Sequence, residues 1–332
     1  MRDVAVVSFA QSNSYGASEQ NEVEILMPVV REAFDAVGVT RDDIGFTCSG
    51  TSDYLAGQPF SFVSALDAVG AWPPIVESHV EMDGAWALYE AWVRLQHGDL
   101  DTALVYAVGK SSMGDLLDVL CLQLDPYVVT PLWPDPISLA ALQARAYLER
   151  TGRTEEDLAE VAARVRPVDL DGPYIASPLR RHDCPPITDG AAAIVLAVGD
   201  RARELCDRPA WISGIDHRIE QHSLGARDIT RSPSTKLAAE KSGASQGGID
   251  VAELHAPFTH QELILRDALA LDGAAINPSG GALKANPVMV AGLERIGEAA
   301  ARVISGEASR ALAHATSGPC LQQNLVCVME SR

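Results

Sequence analysis

The stretch GDLDTALVYA, residues 98–107, recurs in altered form near the other end of the chain as GEASRALAHA, residues 306–315. Both begin with Gly and an acidic residue, and both carry Ala-Leu and a final Ala at the same offsets. A shift of 208 positions relates them, and a shift of 207 relates Cys48 to His255 in a second pair of similar segments. A near-constant shift between matched segments indicates an internal duplication.

The elements around the repeated stretch alternate between strand and helix patterns. In the first part of the chain we predict a strand at 3–10, a helix at 22–39, a strand at 42–50, a helix at 85–98 and a strand at 102–109. The order recurs as a strand at 210–216, a strand-like segment at 248–258, a helix at 288–306 and a strand at 310–318. Alternation of this kind predicts an α/β fold whose mostly parallel sheet is covered by helices on both faces.

The duplication leaves a surplus segment in the middle of the chain. The predicted domains are a first half (1–112 with 189–208), an insertion (113–188) and a second half (209–332). The insertion carries two helical patterns, the second with Thr154 as its predicted N-cap. Ligands of open α/β sheets bind beyond the carboxyl ends of the strands, so we expect the insertion to cover such a site.

Composition excludes several classes of function. The 332 residues are 47% hydrophobic and carry a net charge of −19, which repels nucleic-acid phosphates and anionic lipid surfaces. No signal peptide or membrane-spanning run is found, and the six cysteines lack zinc-ribbon spacing, so we predict a cytoplasmic protein with reduced thiols and no metal site. The densest basic patch, PLRRHD (178–183), suits an anionic group such as that of coenzyme A.

Several segments together resemble the thiolase superfamily. These are CPPITDGAAAIVLA (184–197), ELHAPFTHQEL (253–263), INPSGGALKANP (276–287) and the helical patterns of the insertion. The resemblance spans nearly the whole chain. It implies the thiolase fold: two duplicated halves with mixed sheets in a layered α-β-α-β-α arrangement, plus a loop domain inserted in the first half.

The departures from the family pattern bear on function. In the alignment, Glu81 takes the place of the nucleophilic cysteine, and Asn286 takes the place of the histidine of the Gly-His-Pro motif. Gly318 stands at the position of the second cysteine, with Cys320 two residues further on, and only His255 matches its family position. Acyl transfer needs a thiolate that attacks the thioester and then leaves. We therefore do not expect thiolase or acyltransferase chemistry.

Three segments resemble one branch in particular, the lipid-transfer-protein-like chains that include actinobacterial steroid side-chain-cleaving aldolases. They are SGTSDYLAGQPFSF (49–62), ESHVEMDGAWALYEAW (77–92) and AELHAPFTHQELILRDAL (252–269). The resemblance implies a carbon-carbon lyase that splits a steroid or branched β-hydroxyacyl-CoA into a ketone or aldehyde and a shorter acyl-CoA. Coenzyme A is then part of the substrate, and the chain holds no cofactor of its own.

The same resemblance implies particular partners. Members of this branch work with a small zinc-ribbon/OB-fold protein, and some pair with a second thiolase-like chain. The fold itself usually dimerises through the edges of its sheets. Two alternatives to a catalytic chain follow from the lost residues: a non-catalytic scaffold subunit of a heteromeric aldolase, and a lipid carrier.

Retro-aldol cleavage needs a base for the β-hydroxyl proton, donors for the thioester enolate and an acid for the α-carbon. The catalytic candidates are His255, Glu81, Asp83 and Tyr54. Each has a structural alternative. His255 suits a hydrogen-bonded core position, the two acids suit a helix N-terminus, and Tyr54 suits packing against the insertion.

The substrate-binding candidates are Asn286, Gly281, Gly318 and Cys320. Asn286 is a donor for the enolate oxygen or, alternatively, a turn residue before Pro287. Gly281 belongs to a turn whose backbone geometry favours glycine. Cys320 is more typical of a packed thiol than of a reactive one.

Overall fold

The structure, a computed structural model, describes residues 1–16 and 18–332. The strands are β1 (Val4–Tyr15), β2 (Phe46–Gly50), β3 (Glu77–Val80), β4 (Thr102–Lys110), β5 (Tyr174–Ala176), β6 (Leu179–Arg180), β7 (Thr188–Val198), β8 (Ala210–Ile219), β9 (Val251–Leu254), β10 (Ala275–Ile276), β11 (Arg310–Ser317) and β12 (Gln323–Glu330). The helices are α1 (Glu22–Asp35), α2 (Asp53–Ala56), α3 (Phe62–Val69), α4 (Gly84–Leu95), α5 (Leu116–Cys121), α6 (Pro136–Thr151), α7 (Glu155–Ala163), α8 (Gly199–Leu205), α9 (Pro233–Lys241), α10 (Thr259–Leu269), α11 (Gly281–Lys284) and α12 (Ala291–Ser305).

The main sheet repeats the same strand order in both halves. Its order is β10-β9-β11-β12-β8-β1-β7-β4-β2-β3, so each half runs outward from its first strand in the same sequence of positions. The halves meet where β1 pairs with β8, through Ala5 opposite Trp211 and Val6 opposite Ala210. The repeated stretches of the sequence lead into β4 and β11, which occupy equivalent places.

The sheet is mixed, whereas the order of elements alone predicts a mostly parallel one. β2 runs parallel to β3 and β4, but β7 runs antiparallel to both β1 and β4. In the second half, β12 follows β11 after a short turn and therefore returns beside it in the antiparallel direction. The mixed sheets expected from the thiolase resemblance are thus confirmed.

The helices and half-sheets form five layers. Helices α4 and α12 lie between the two half-sheets, in a core cluster that includes Leu88, Ala103, Ile296 and Ala311. Along β4 the side chains alternate, so Leu104 instead faces the outer layer formed by α1 and α3. Helices α9 and α10 cover the outer face of the second half together with α6 and α7. The expected α-β-α-β-α arrangement is confirmed.

The two central helices approach each other through glycines. A Cβ atom at Gly292 would lie 2.4 Å from Oδ1 of Asp83 and 2.7 Å from the Cβ of Ala315. A Cβ at Gly84 would lie 2.9 Å from the Cβ of Ala107. Only glycine fits these positions, because the first turns of the two helices lie too close together, and too close to the neighbouring strands, to leave room for a Cβ atom.

The segment 113–188 packs on the second half. Thr154 directly precedes α7 as its N-cap, and its main-chain N–H donates to the carboxylate of Asp157 at 2.7 Å, so its predicted N-cap position is confirmed. The Tyr147 hydroxyl donates to Asp267 of α10 at 2.8 Å, and Arg164 pairs with the buried Glu262 of the same helix. Across the described residues, no helix combines the length and the apolar character needed to cross a membrane.

Candidate active site

An apolar cavity of about 320 Å³ lies where the segment 113–188 meets the second half. That segment contributes a wall of aliphatic residues that includes Leu116, Leu117, Leu120, Leu124, Pro134, Ile137 and Leu139. Most of the polar lining comes from outside that segment and includes Asp83, His255, Asn286, Thr316 and Cys320, with Gly318 beside them. A mostly apolar cavity with a few convergent polar groups is the usual form of a small-molecule site.

Asp83 is the one acidic side chain among the residues that line this cavity. It is the N-cap of α4, and its Oδ1 accepts from the N–H of Ala85 at 2.9 Å and of Leu293 at 3.0 Å. Its Oδ2 accepts from the N–H of Gly292 at 2.9 Å. The carboxylate therefore joins the N-termini of α4 and α12 at the centre of the molecule.

Burial raises the pKa of Asp83 to about 6, although three N–H groups and Arg295 favour the ionised form. Near neutral pH the group is mostly a carboxylate, and it regains its proton within the range in which a general base operates. A carboxylate has about four acceptor sites, and the three N–H groups leave one on Oδ2. Capping and a place in the cavity coexist, so both interpretations of this residue fit its position.

His255 follows β9 and is held through both ring nitrogens. Its Nδ1 accepts from the main-chain N–H of Thr316 at 3.4 Å, so the proton of the neutral ring is on Nε2. That N–H donates to Oδ1 of Asn286 across 3.1 Å. Burial lowers the pKa of His255 to about 3, which keeps the ring neutral.

Asn286 therefore presents its amide nitrogen rather than its oxygen to the cavity. Its Oδ1 is taken by His255, and its main-chain N–H donates to Oγ1 of Thr188 at 2.8 Å. The Nδ2 group carries two N–H donors. The structure thus brings together two candidates from separate motifs and orders them: His255 orients Asn286, and Asn286 carries the donor.

Gly318 and Cys320 also line the cavity. The Sγ of Cys320 lies 3.6 Å from the carbonyl oxygen of Leu139, and burial raises the pKa of the thiol to about 11. A thiol is a nucleophile only as the thiolate, so at neutral pH this one is inert. Gly318 has a φ of +74°, a conformation that favours glycine.

Glu81, Tyr54 and Gly281 are not among the described residues that line the cavity. The exposed Glu81 turns outward before α4 begins, because its carboxylate accepts from the N–H of Asp53 at 2.6 Å. Tyr54 is 54% exposed on α2, and Gly281 packs against the side chain of Asn277. The position expected to replace the nucleophile is thus outside the cavity, and Asp83 two residues later lies inside it.

Arg181 at the cavity wall and Arg166 near it add positive charge to an acidic protein. Arg181, from the predicted basic patch, is exposed and lines the cavity. Arg166 donates to the carbonyl of Cys184 at 2.8 Å, and its pKa is lowered by burial and by the charge of Arg181. The basic run 178–183 already pointed to Arg181. Arg166 lies outside that run, just after the end of α7, and no sequence pattern singled it out.

A buried charge cluster lies near Asp83 and has no counterpart in the sequence-based candidates. Arg295 pairs with Glu253 at 3.3 Å and with Glu294 at 3.2 Å, so one guanidinium faces two carboxylates. Fully ionised, this cluster carries an excess negative charge in the core, which favours protonation of one acid. Burial raises the pKa of Glu294 to about 7.

Comparison with known proteins identifies the fold. No family model matches the chain. It is 26% identical to the acetyl-CoA acetyltransferase of Methanocaldococcus jannaschii, over 90% of this chain and 89% of that one. It is 34% identical to the 17-hydroxy-3-oxo-4-pregnene-20-carboxyl-CoA lyase of Mycobacterium tuberculosis, over 42% of this chain and 43% of that one. Among solved structures, the Ltp2-ChsH2(DUF35) aldolase superposes with a TM-score of 0.79 at 20% identity, covering 99% of this chain and 98% of that one.

The five-layered fold and its structural match define a thiolase-fold protein. The resemblance to the thiolase superfamily, expected from the sequence, is confirmed by relatives that extend over most of the chain and by the structural match. The relatives include acetyl-CoA acetyltransferases, the carboxyl-CoA lyase above and a steroid side-chain-cleaving aldolase of Thermomonospora curvata, 28% identical over 37% of this chain and 39% of that one. At a coarse level the lyase relatives support lyase activity, and the acyltransferase relatives keep the thiolase reaction as the competing one.

Proposed function

We propose that this chain is a thiolase-fold aldolase that cleaves a β-hydroxyacyl-CoA by a retro-aldol reaction without a cysteine nucleophile. One observation carries the proposal. The cavity combines a buried carboxylate, Asp83, with an oriented amide donor, Asn286, while burial keeps its two thiols, those of Cys184 and Cys320, protonated. This set suits proton transfer and enolate stabilisation, and it does not suit acyl transfer.

The proposed reaction uses Asp83 as both base and acid. Its Oδ2 takes the proton of the β-hydroxyl group, the β-carbon becomes a carbonyl, and the bond between the α- and β-carbons breaks. The electron pair passes to the α-carbon and is delocalised onto the thioester oxygen, which accepts a hydrogen bond from Nδ2 of Asn286. Protonated Asp83 then returns the proton to the α-carbon, giving a ketone or aldehyde and a shorter acyl-CoA.

The shape and charge of the cavity support the substrate class. Its aliphatic wall suits a steroid or branched apolar group. Arg181, which lines the cavity, and the nearby Arg166 suit the phosphates of coenzyme A, which an overall acidic surface would otherwise repel. We extend the proposal to a small partner protein, in line with the similarity to the Ltp2-ChsH2(DUF35) aldolase.

The test is product analysis by mass spectrometry. The chain, alone and with a candidate DUF35 partner, is incubated with a steroid side-chain β-hydroxyacyl-CoA, and separately with a β-ketoacyl-CoA plus free coenzyme A. We expect equal amounts of ketone or aldehyde and shortened acyl-CoA from the first mixture and no acyl transfer in the second. Acyl transfer in the second mixture without cleavage in the first would overturn the proposal. Cleavage that appears only after a second thiolase-like chain is added would favour the scaffold role.

A further inference from the structure

A strained turn forms part of the cavity wall, and its Cys320 packs with Leu124 and Leu139 of the aliphatic wall. It spans 318–321, and it contains two consecutive non-glycine residues with positive φ, Cys320 at +55° and Leu321 at +59°. This left-handed conformation is unfavourable for side chains larger than glycine. Such strain persists only where the surrounding structure fixes it, and it concentrates at functional sites.

Arg227 fixes this turn from behind. Its Nη2 donates to the carbonyl of Pro319 at 2.6 Å, and its Nη1 donates to the carbonyl of Cys320 at 2.9 Å. Gln143 of α6 adds a second bond to the Cys320 carbonyl, at 3.3 Å from Nε2. The acceptors of this guanidinium are thus two successive peptide carbonyls rather than a carboxylate, and its buried Nε makes no hydrogen bond to any described residue.

The arrangement directs a peptide N–H away from Arg227. The Pro319–Cys320 peptide is trans, and in a planar trans peptide the N–H points opposite to the C=O. The Cys320 N–H therefore points away from the guanidinium, and Cys320 itself is one of the residues that line the cavity. Cys320 is only 5% exposed, and within residues 1–16 and 18–332 its N–H meets no acceptor. Buried N–H groups nearly always have a partner, so this one is available to a ligand.

We propose that Arg227 is a positioning residue that orients and polarises the Pro319–Cys320 peptide, so that the Cys320 N–H binds the oxyanion of the enolate. This inference deepens the proposed function and rests on the same cavity. The positive charge of Arg227 draws electron density toward the Pro319 carbonyl and makes the opposite N–H a stronger donor. The Cys320 N–H and the Asn286 amide would then share the developing charge, which is the usual division in an oxyanion site.

The test uses a ligand whose enolate is seen directly, so it does not depend on turnover. Acetoacetyl-CoA has a distinct ultraviolet band in its enolate form. We expect the wild-type protein to raise the enolate fraction of the bound ligand, and Arg227→Gln to lose most of that rise while still binding it. Guanidinium added to Arg227→Ala should restore part of the band, because the cation can refill the space behind the turn. In turnover, Arg227→Gln should lower kcat by up to ~100- to 1000-fold with little change in KM.

Arg208 provides the matched control. It also donates to two main-chain carbonyls, those of Val303 and Ala308, but it does not line or back the turn. Arg208→Gln should leave the enolate band unchanged, even if it lowers the melting temperature as much as Arg227→Gln. An unchanged band in a folded Arg227→Gln, or no band with the wild type, would overturn the inference. A normal band in a wild-type protein that cleaves nothing would instead overturn the proposed function alone.

Discussion

At the scale of single residues, the site depends on which acid near the start of α4 enters the cavity. Glu81 aligns with the family nucleophile, but its carboxylate accepts from the N–H of Asp53 at the start of α2 and stays exposed. Asp83 caps two helices and lines the cavity. The two acids are only two residues apart, so the sequence alone does not show which one enters the cavity. The path of the chain just before α4 decides this.

Asn286 should act in the transition state. Asn286→Ala removes the Nδ2 donor, and we expect kcat to fall by ~100- to 1000-fold with a small change in KM, because enolate charge develops only during cleavage. His255→Gln should lower kcat less, because it keeps the Asn286 amide and removes only the imidazole that orients it. Steady-state kinetics on one β-hydroxyacyl-CoA checks both variants. Wild-type kcat in Asn286→Ala would remove this residue from the mechanism.

Glu294 should make stability depend on pH. Its pKa of about 7 in the folded protein lies above the ordinary 4.5, so the folded state holds a proton that the unfolded state releases. Its contribution is complete below about pH 4.5 and is lost as the pH rises to about 7, by about 3 kcal/mol at most. Glu294→Gln cannot ionise and should gain stability relative to wild type across this range. Urea unfolding of both proteins at about pH 5 and about pH 8 measures this change. An unfolding free-energy difference between Glu294→Gln and wild type that is the same at both pH values would refute the assignment.

At the scale of elements, the long, strongly patterned segments were predictable, and those set by tertiary contacts were not. The apolar runs of β1 and β4 and the periodicity of α4 and α12 each specify their element. The four-residue β3, by contrast, is defined by pairing with β2 rather than by its own sequence ESHV. The short α5 is similar: its leucines carry no period of their own, and they form the cavity wall only because the insertion folds over the second half.

Helix α5 should set the size of the substrate. Leu120 lines the cavity, and Leu120→Trp fills part of it. We expect KM for a steroid β-hydroxyacyl-CoA to rise more than ~10-fold, while a short-chain analogue is bound as before, because one buried methylene is worth about 0.8 kcal/mol and a ring displaced costs several. Leu122→Trp is the control, since Leu122 is 51% exposed at the end of the same helix. Equal effects on both substrates would argue against a steroid group in this cavity.

The contact between α4 and α12 should tolerate no added atom. Gly292→Ala places a Cβ 2.4 Å from Oδ1 of Asp83, whose position is fixed by three N–H groups. We expect a loss of about 1–3 kcal/mol in unfolding free energy together with loss of activity, because the carboxylate must move. Gly248→Ala should change neither, since nothing lies within 4 Å of its added Cβ. Chemical denaturation and activity assays on both variants decide this.

At the scale of the whole molecule, a duplicated fold has been made asymmetric. Both halves keep the same strand order, and the carboxylate that bridges the two central helices comes from the first half alone. The second half supplies His255, Asn286 and the turn at Cys320. Motif order in the sequence sufficed to predict the layered fold, but the pairing of His255 with Asn286 and the support of the turn by Arg227 join segments far apart in sequence.

The central claim is cleavage by a carboxylate in place of a thiol, and single-turnover cleavage of a β-hydroxyacyl-CoA by Asp83→Asn and Cys320→Ala tests it most directly. Asn keeps an oxygen for the helix N-terminus but cannot take a proton, so Asp83→Asn should be slowed by ~100- to 10,000-fold. Cys320→Ala, lacking the one thiol of the turn, should cleave within about threefold of wild type. A wild-type rate in folded Asp83→Asn, or loss of cleavage in Cys320→Ala, would contradict the account.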